Sequence, residues 1–176
     1  DLIGFLLYCA YGANFKRRYL SEKLSTKVVS NLVISGIEYY RGYMKKMLAA
    51  SKRFHPPCTI YELAQKASKI LSLGNCTGEG WFLTAEMVEL IEEGAVNILC
   101  MQPFACLPNH VTGKGMIKAL KKEYPGANII AVDYDPGASE VNQLNRIKLM
   151  LSAAFRNMEM EEKYAHHGRS AGIQRT

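Results

Sequence analysis

The chain lacks any apolar run near the roughly 20 residues that a bilayer-spanning helix requires. The apolar stretch at residues 2–10 falls well short of that length. No secretory-leader pattern opens the sequence, and the five cysteines are an odd count. Both points favour a reducing cytoplasm over a disulfide scaffold, and the expectation is a cytoplasmic protein without a membrane partner. The closely spaced second cysteine pair of a structural zinc site is missing, and so is the full glycine spacing of a P-loop around Thr112-Gly113-Lys114-Gly115. No nucleophile–base triad is credible. No RNA-recognition signature or zinc-finger spacing accompanies the basic residues, so nucleic acid is not an expected partner.

What remains is ordinary globular material. Of 176 residues, 48% are hydrophobic and 22% charged, enough for one buried domain and a helical extension. The opening at Asp1, with no initiator methionine, suggests an excised piece with part of any active site on absent sequence. The net charge of +6 is uneven. Lys16, Arg17, Arg18, Lys23 and Lys27 cluster early, followed by Arg41, Lys45, Lys46, Lys52 and Arg53, while Glu79, Glu86, Glu89, Glu92 and Glu93 come later. Such a basic face is either a solvated helix surface or a site for an acidic partner or anionic cofactor.

Residues 1–54 read as helices joined by a short break. Ile34, Ile37, Tyr40, Met44, Met47 and Leu48 recur at the spacing of one buried helix face. After Pro56-Pro57, Thr59 and Glu62 form a capping box, and Leu63, Ala67, Ile70 and Leu71 give the next apolar stripe, with a stop at Gly74-Asn75. Trp81 to Glu93 repeats the pattern with Leu83, Met87, Leu90 and Ile91, and Gly94 closes it. The period then changes. Residues 96–101 and 128–133 are short apolar runs bounded by turn signals, as buried strands are, and an amphipathic helix spans 114–124 between them. A last helix is expected to turn Val141, Leu144, Ile147, Leu151 and Phe155 inward. A third strand is sought in the N-terminal part or outside the chain. The expected fold class is α/β, a small parallel sheet in a three-layer Rossmann-like arrangement with a helical N-terminal segment. Its divisions are a helical segment at 1–55 packing on the domain, the α/β domain at 56–160, and a flexible tail at 161–176 carrying His166-His167.

Ligands of open α/β sheets bind outside the carboxyl ends of the strands. The first such end leads into a segment from Cys100 to Lys114 that holds two thiols, Gln102, Asn109, His110 and Lys114. Thiols six positions apart across a proline-stiffened loop can converge on a soft metal or an iron–sulfur cluster, although two ligands do not complete one. Cys100 is equally readable as a small buried hydrophobe. Gly78-Glu79-Gly80-Trp81, before a helix N-terminus, leaves backbone open to a close approach by an anion, or is a plain turn with a buried tryptophan.

Three motifs in order resemble a known family. They are Gly78-Glu79-Gly80-Trp81 with Thr84-Ala85-Glu86-Met87, then Gln102-Pro103-Phe104 with Cys106-Leu107-Pro108-Asn109-His110 and Gly113-Lys114-Gly115, then Asp133-Tyr134-Asp135-Pro136-Gly137 with Asn142-Gln143-Asn145-Arg146. Together they are similar to the C-terminal part of large activase-related proteins of the 2-hydroxyacyl-CoA dehydratase and benzoyl-CoA reductase activator group, the CoA-substrate-specific enzyme activase family. The likeness spans roughly Thr59 to Phe155. It implies ATPase modules elsewhere in a full-length protein, a dehydratase-type component as partner, and a [4Fe-4S] cluster that receives an electron. Cys100 and Cys106 fall in the matching motif and are the implied metal ligands. From the two loops themselves, Gly78, Glu79, Gly80, Trp81, Gln102, Asn109, His110 and Lys114 are the candidate cofactor-binding positions. Two other functions stay open: a non-catalytic docking domain for the ATPase modules, and a module that binds CoA or a nucleotide through the basic face.

Overall fold

A computed structural model describes the backbone of residues 2–172 and the side chains of residues 2–160. The expected flexible tail at 161–176 lies outside the described side chains. Helices α1 (Leu2–Tyr19) and α2 (Leu24–Ala49) form an antiparallel pair, so the N-terminal part holds no third strand. Then follow α3 (Ile60–Ser68), α4 (Trp81–Glu92), strand β1 (Asn97–Pro103), α5 (Ile117–Glu123), strand β2 (Asn128–Tyr134) and α6 (Glu140–Gly172). Between β1 and α5 the backbone makes a π-helical turn at Asn109–Gly113 and a 3₁₀ turn at Lys114–Met116. The architecture is mixed α/β and mostly helical. Its sheet, among the described residues, is two parallel strands in the register Cys100 to Ala131 and Gln102 to Asp133.

Local chemistry accounts for the element boundaries. The Thr59 hydroxyl accepts from the Glu62 N–H while the Glu62 carboxylate accepts from the Thr59 N–H at 2.7 Å, so α3 starts on the expected capping box. That helix stops at Ser68, earlier than Gly74 suggests. Gly94, at φ +91°, ends α4 while Ala95 N–H bonds the Leu90 carbonyl at 2.8 Å.

Two cores share α4. Its first turns give Trp81, Phe82 and Ala85 to a cluster with Leu7 and Tyr8 of α1, Ile34 of α2, and Ile60, Leu63, Ala64 and Ala67 of α3. Its last turns give Met87, Val88 and Ile91 to a cluster with Ile98, Leu120, Ala127 and Ile129. This double duty explains why α4 is apolar on more than one face, the pattern of a helix packed on both sides.

The inward faces of α2 and α6 match the periodicity only in part: Ile34 is buried and Ile37 and Leu48 are half-buried, as predicted. On α2, Tyr40 is 84% exposed and Met47 60%, while Arg41 is buried at 4% and paired with Glu38 at 2.8 Å. On α6, Val141, Leu144, Leu151 and Phe155 are exposed; Met150 is buried and Gln143 and Ile147 half-buried. The side of α6 facing the sheet is partly polar. Gln143 donates to the Asp133 carbonyl at 2.8 Å, Arg146 to the Ala131 carbonyl at 3.0 Å, and the Met150 carbonyl accepts from Asn128 at 2.9 Å. Those polar contacts turn the apolar stripe outward, where nothing in the described chain covers it. Among the described residues no helix is long and apolar enough to cross a membrane.

Candidate functional site

The site grows from the carboxyl end of β1. Strand alternation puts Cys100 and Gln102 on one face and Leu99 and Met101, both exposed, on the other. Gln102 is 1% exposed, and its amide N–H donates to the Cys100 sulfur at 3.1 Å. Burial pushes the Cys100 thiol up, and the Gln102 amide draws it part of the way back. The Gln102 Oε1 atom is buried without a hydrogen-bond partner among the described residues. Gly113, in the π turn, closes over both groups. A Cβ there would stand 3.1 Å from the Cys100 sulfur and 3.4 Å from the Gln102 amide nitrogen, so only a glycine lets the turn come this close without displacement.

Ala105, at φ +54°, turns the chain back ahead of Cys106. A non-glycine residue in the left-handed region is uncommon and costs on the order of 1 kcal/mol or more. Cys106 is half-buried, and its sulfur accepts from the Asn109 carboxamide at 3.0 Å. The two thiols thus share one chemical pattern, a side-chain amide donating to sulfur. His110 is exposed, with its Nδ1 at 3.0 Å from the Cys106 carbonyl. The π turn is fixed to α4 by the Thr84 hydroxyl, which donates to the Thr112 carbonyl at 2.5 Å, and to its own start by Thr112 donating to the Pro108 carbonyl at 2.8 Å.

The Gly78–Trp81 turn meets this loop where Gly78 faces Pro108. A Cβ on Gly78, which sits at φ +60°, would fall 2.7 Å from Pro108 Cγ. Glu79 is half-buried beside that contact in sequence. Trp81 points elsewhere: it is 2% exposed, with Tyr8 and Tyr11 ring centroids at 5.0 and 5.7 Å. Its neighbours are those of a core tryptophan. The Tyr8 hydroxyl is buried without a hydrogen-bond partner, and burial, with Cys76, Cys9 and Glu79 adding to it, holds the phenol well above its usual range.

Lys114 joins the two strand ends through an ion pair with Asp133 at 3.7 Å, both side chains about half exposed. Beyond it, Asp133, Asp135, Ser139, Asn142, Gln143 and Arg146 line a cavity of about 230 Å³ at the carboxyl end of β2. Asp133, Asp135, Asn142, Gln143 and Arg146 belong to the third motif of the sequence, which assigns none of them a site role; the placement of ligands at strand carboxyl ends is the signal that finds them. The three remaining cysteines lie apart from the pattern. Cys58 gives its N–H to Glu89 at 2.8 Å, and burial followed by Glu89 pushes its thiol up to about 11 against the pull of Lys66. Among the described residues no group of three or more His, Cys, Asp and Glu side chains is arranged to hold a metal ion. Comparison of the chain with models of known protein families, with curated proteins and with solved structures returned no match.

Proposed function

We propose that the chain is a C-terminal domain of an activase-related protein of the 2-hydroxyacyl-CoA dehydratase activator group, contributing part of an iron–sulfur, electron-transfer or acyl-CoA site. The observation that carries this reading is the matched pair of amide-to-sulfur hydrogen bonds, Gln102 to Cys100 and Asn109 to Cys106. Hydrogen bonds to cysteine sulfur are among the means by which proteins tune cluster potentials. A thiol raised by burial is deprotonated outright when a metal takes it as ligand.

Two thiols make a partial donor set. Cys100 and Cys106 would hold one side of a [4Fe-4S] cluster, and the ATPase-bearing protein or a dehydratase-type component would supply the rest. The cluster would accept and pass on an electron. Gln102 and Asn109 would orient the sulfurs, Gly113 would admit the π turn, and Lys114 would keep a positive charge at the strand ends. The exposed side of β1, with Leu99 39% and Met101 52% accessible, supports a sheet covered or extended by neighbouring sequence into the three-layer Rossmann-like arrangement.

Anaerobic reconstitution with iron and sulfide tests the proposal. The wild-type chain should gain a broad visible absorption and bound iron that a Cys100→Ser/Cys106→Ser double variant does not, because hydroxyls are poor ligands for soft centres. Aerobic preparations should hold little iron. Equal uptake by both proteins defeats the cluster reading.

One observation favours a second reading, a cofactor-free docking domain for ATPase modules. The outward sides of α2 and α6 expose Val28, Val29, Leu32, Tyr39 and Tyr43, and Val141, Leu149 and Phe155. Apolar patches of this kind mark surfaces that other protein covers.

A further inference from the structure

A second site lies far along the chain from the cysteines, where α1, α2 and α3 meet. There Arg17, Arg18 and Lys27 line a cavity of about 660 Å³ together with the rings of Tyr11, Phe15 and Tyr61. Its volume falls within the roughly 300–1,000 Å³ of small-molecule sites. No acidic side chain lines it among the described residues. Across residues 11–27 five cations (Lys16, Arg17, Arg18, Lys23, Lys27) face one carboxylate, Glu22. That carboxylate is engaged next to the Lys23 N–H at 3.3 Å, outside the cavity wall.

The two kinds of wall are separately built. Tyr11 and Tyr61 meet edge to face at 5.6 Å, and the Tyr61 hydroxyl is anchored to Asn31 at 3.3 Å, which in turn accepts from Asn14 at 3.2 Å. Arg17 is held by its bond to the Glu22 carbonyl at 2.9 Å, which leaves most of its guanidinium donors unspent. Arg18 lies against the Tyr19 ring at 5.4 Å. Lys27 is half-buried and makes no ion pair with a described residue. Cations without carboxylate partners among the described residues, beside aromatic faces in one cavity, suit a ligand with a planar ring at one end and several negative charges at the other.

We propose that this cavity binds an adenosine phosphate, its base against the tyrosine and phenylalanine rings and its phosphates on Arg17, Arg18 and Lys27. The adenosine phosphate is either a free nucleotide or the nucleotide end of CoA. The assignment stands independently of the cysteine loop, since none of its residues belongs to it.

The test is calorimetric titration of the full chain with ADP, CoA, adenosine and pyrophosphate in parallel. ADP or CoA should bind saturably and at least about tenfold more tightly than adenosine or pyrophosphate, because ring and phosphate contacts are both required. CoA binding above ADP assigns the CoA source; the reverse assigns the free nucleotide. Raising the salt should weaken binding. Arg18→Gln/Lys27→Gln, which spares the Arg17 turn contact, should weaken it about tenfold or more. Tyr61→Leu should weaken adenosine phosphates while leaving pyrophosphate unaffected, and circular dichroism should show both variants folded. The proposal is overturned if neither ADP nor CoA saturates the protein, or if pyrophosphate binds as well as they do. It is also overturned if a folded double variant binds like wild type, or if a short RNA binds more tightly and displaces the nucleotide.

Discussion

Gly80→Ala, at the start of α4, should destabilise the fold more than Gly94→Ala at its end. Gly80 sits at φ +47° and ψ −135°, in backbone space that side chains avoid. That conformation costs roughly 1–3 kcal/mol for alanine. Space is the second cost. The new Cβ would run into the Asn75 carbonyl oxygen, approach the Tyr8 hydroxyl at 2.6 Å and stand 2.9 Å from the Cys76 Cα. The Asn75 oxygen is already committed, accepting the Trp81 N–H at 2.7 Å where α4 begins. Backbone on one side and a buried phenol on the other leave no flexible group to yield, so overpacking adds about 1–3 kcal/mol. The sum is about 2–6 kcal/mol, a large share of the roughly 5–15 kcal/mol that holds a typical domain folded. Gly94→Ala separates the two costs. It has φ +91° and no atom within 4 Å of its Cβ position, so it carries only the backbone cost of about 1–3 kcal/mol. Urea unfolding followed by Trp81 fluorescence measures both, with an unchanged m-value showing that stability alone has moved. Equal midpoints for the two variants would refute the steric argument and show that the 75–80 turn relaxes freely.

Thr59→Ala should cost about 1 kcal/mol at neutral pH by removing the α3 cap. The backbone and side-chain hydrogen bonds from Thr59 hold the Glu62 carboxyl below its usual range, so this contribution is present above the ordinary glutamate pKa. It is lost as pH falls through the folded value, and the gap between wild type and variant should shrink in urea titrations near pH ~3. Ala105→Gly should stabilise the chain by on the order of 1 kcal/mol in the same assay, since glycine accepts the left-handed turn ahead of Cys106; a loss of stability would refute strain there. Gln102→Leu should raise the Cys100 thiol further by removing the amide that draws it down, slowing its alkylation at a given pH; an unchanged rate profile would show that the hydrogen bond does not act on the thiol.

The features legible in the sequence are those set by short-range chemistry. The Thr59–Glu62 cap, the glycine stop after α4, the break between α1 and α2 and both strands follow from neighbours a few residues apart. The inward faces of α2 and α6 are legible only in part, at Ile34 and Ile147, for a physical reason. A periodic apolar stripe says that a helix face wants cover, and it is silent on whether the cover belongs to the same chain. On α2 Ile34 is buried as its spacing predicts, but the next buried position went to Arg41, whose charge is met by Glu38 three residues before it. On α6 the sheet-facing side is held by hydrogen bonds from Gln143 and Arg146, and the stripe from Val141 to Phe155 faces outward. At the candidate site, the sequence marked the thiols and carboxamides but not their pairing. The pairing depends on a π turn and on Ala105 at positive φ, neither of which has a compositional signature.

The sharing of α4 between two cores ties the candidate site to parts of the chain remote from it. Trp81 and Phe82 are packed by Tyr8 of α1, while Thr84, one turn on, holds the π turn that covers Cys100 through its bond to the Thr112 carbonyl. Met87, Val88 and Ile91 then support β1 from below through Ile98. A shift of α1 therefore reaches the Gln102–Cys100 pair by two rigid steps, the aromatic cluster and the Thr84 hydrogen bond. Close-packed interiors transmit such shifts instead of absorbing them. The same packing reaches the cavity between α1, α2 and α3, since Tyr11 lines it and also lies 5.7 Å from Trp81. A ligand that moved Tyr11 should therefore register in Trp81 fluorescence, and an unchanged emission on titration would show that the cavity and α4 are not coupled.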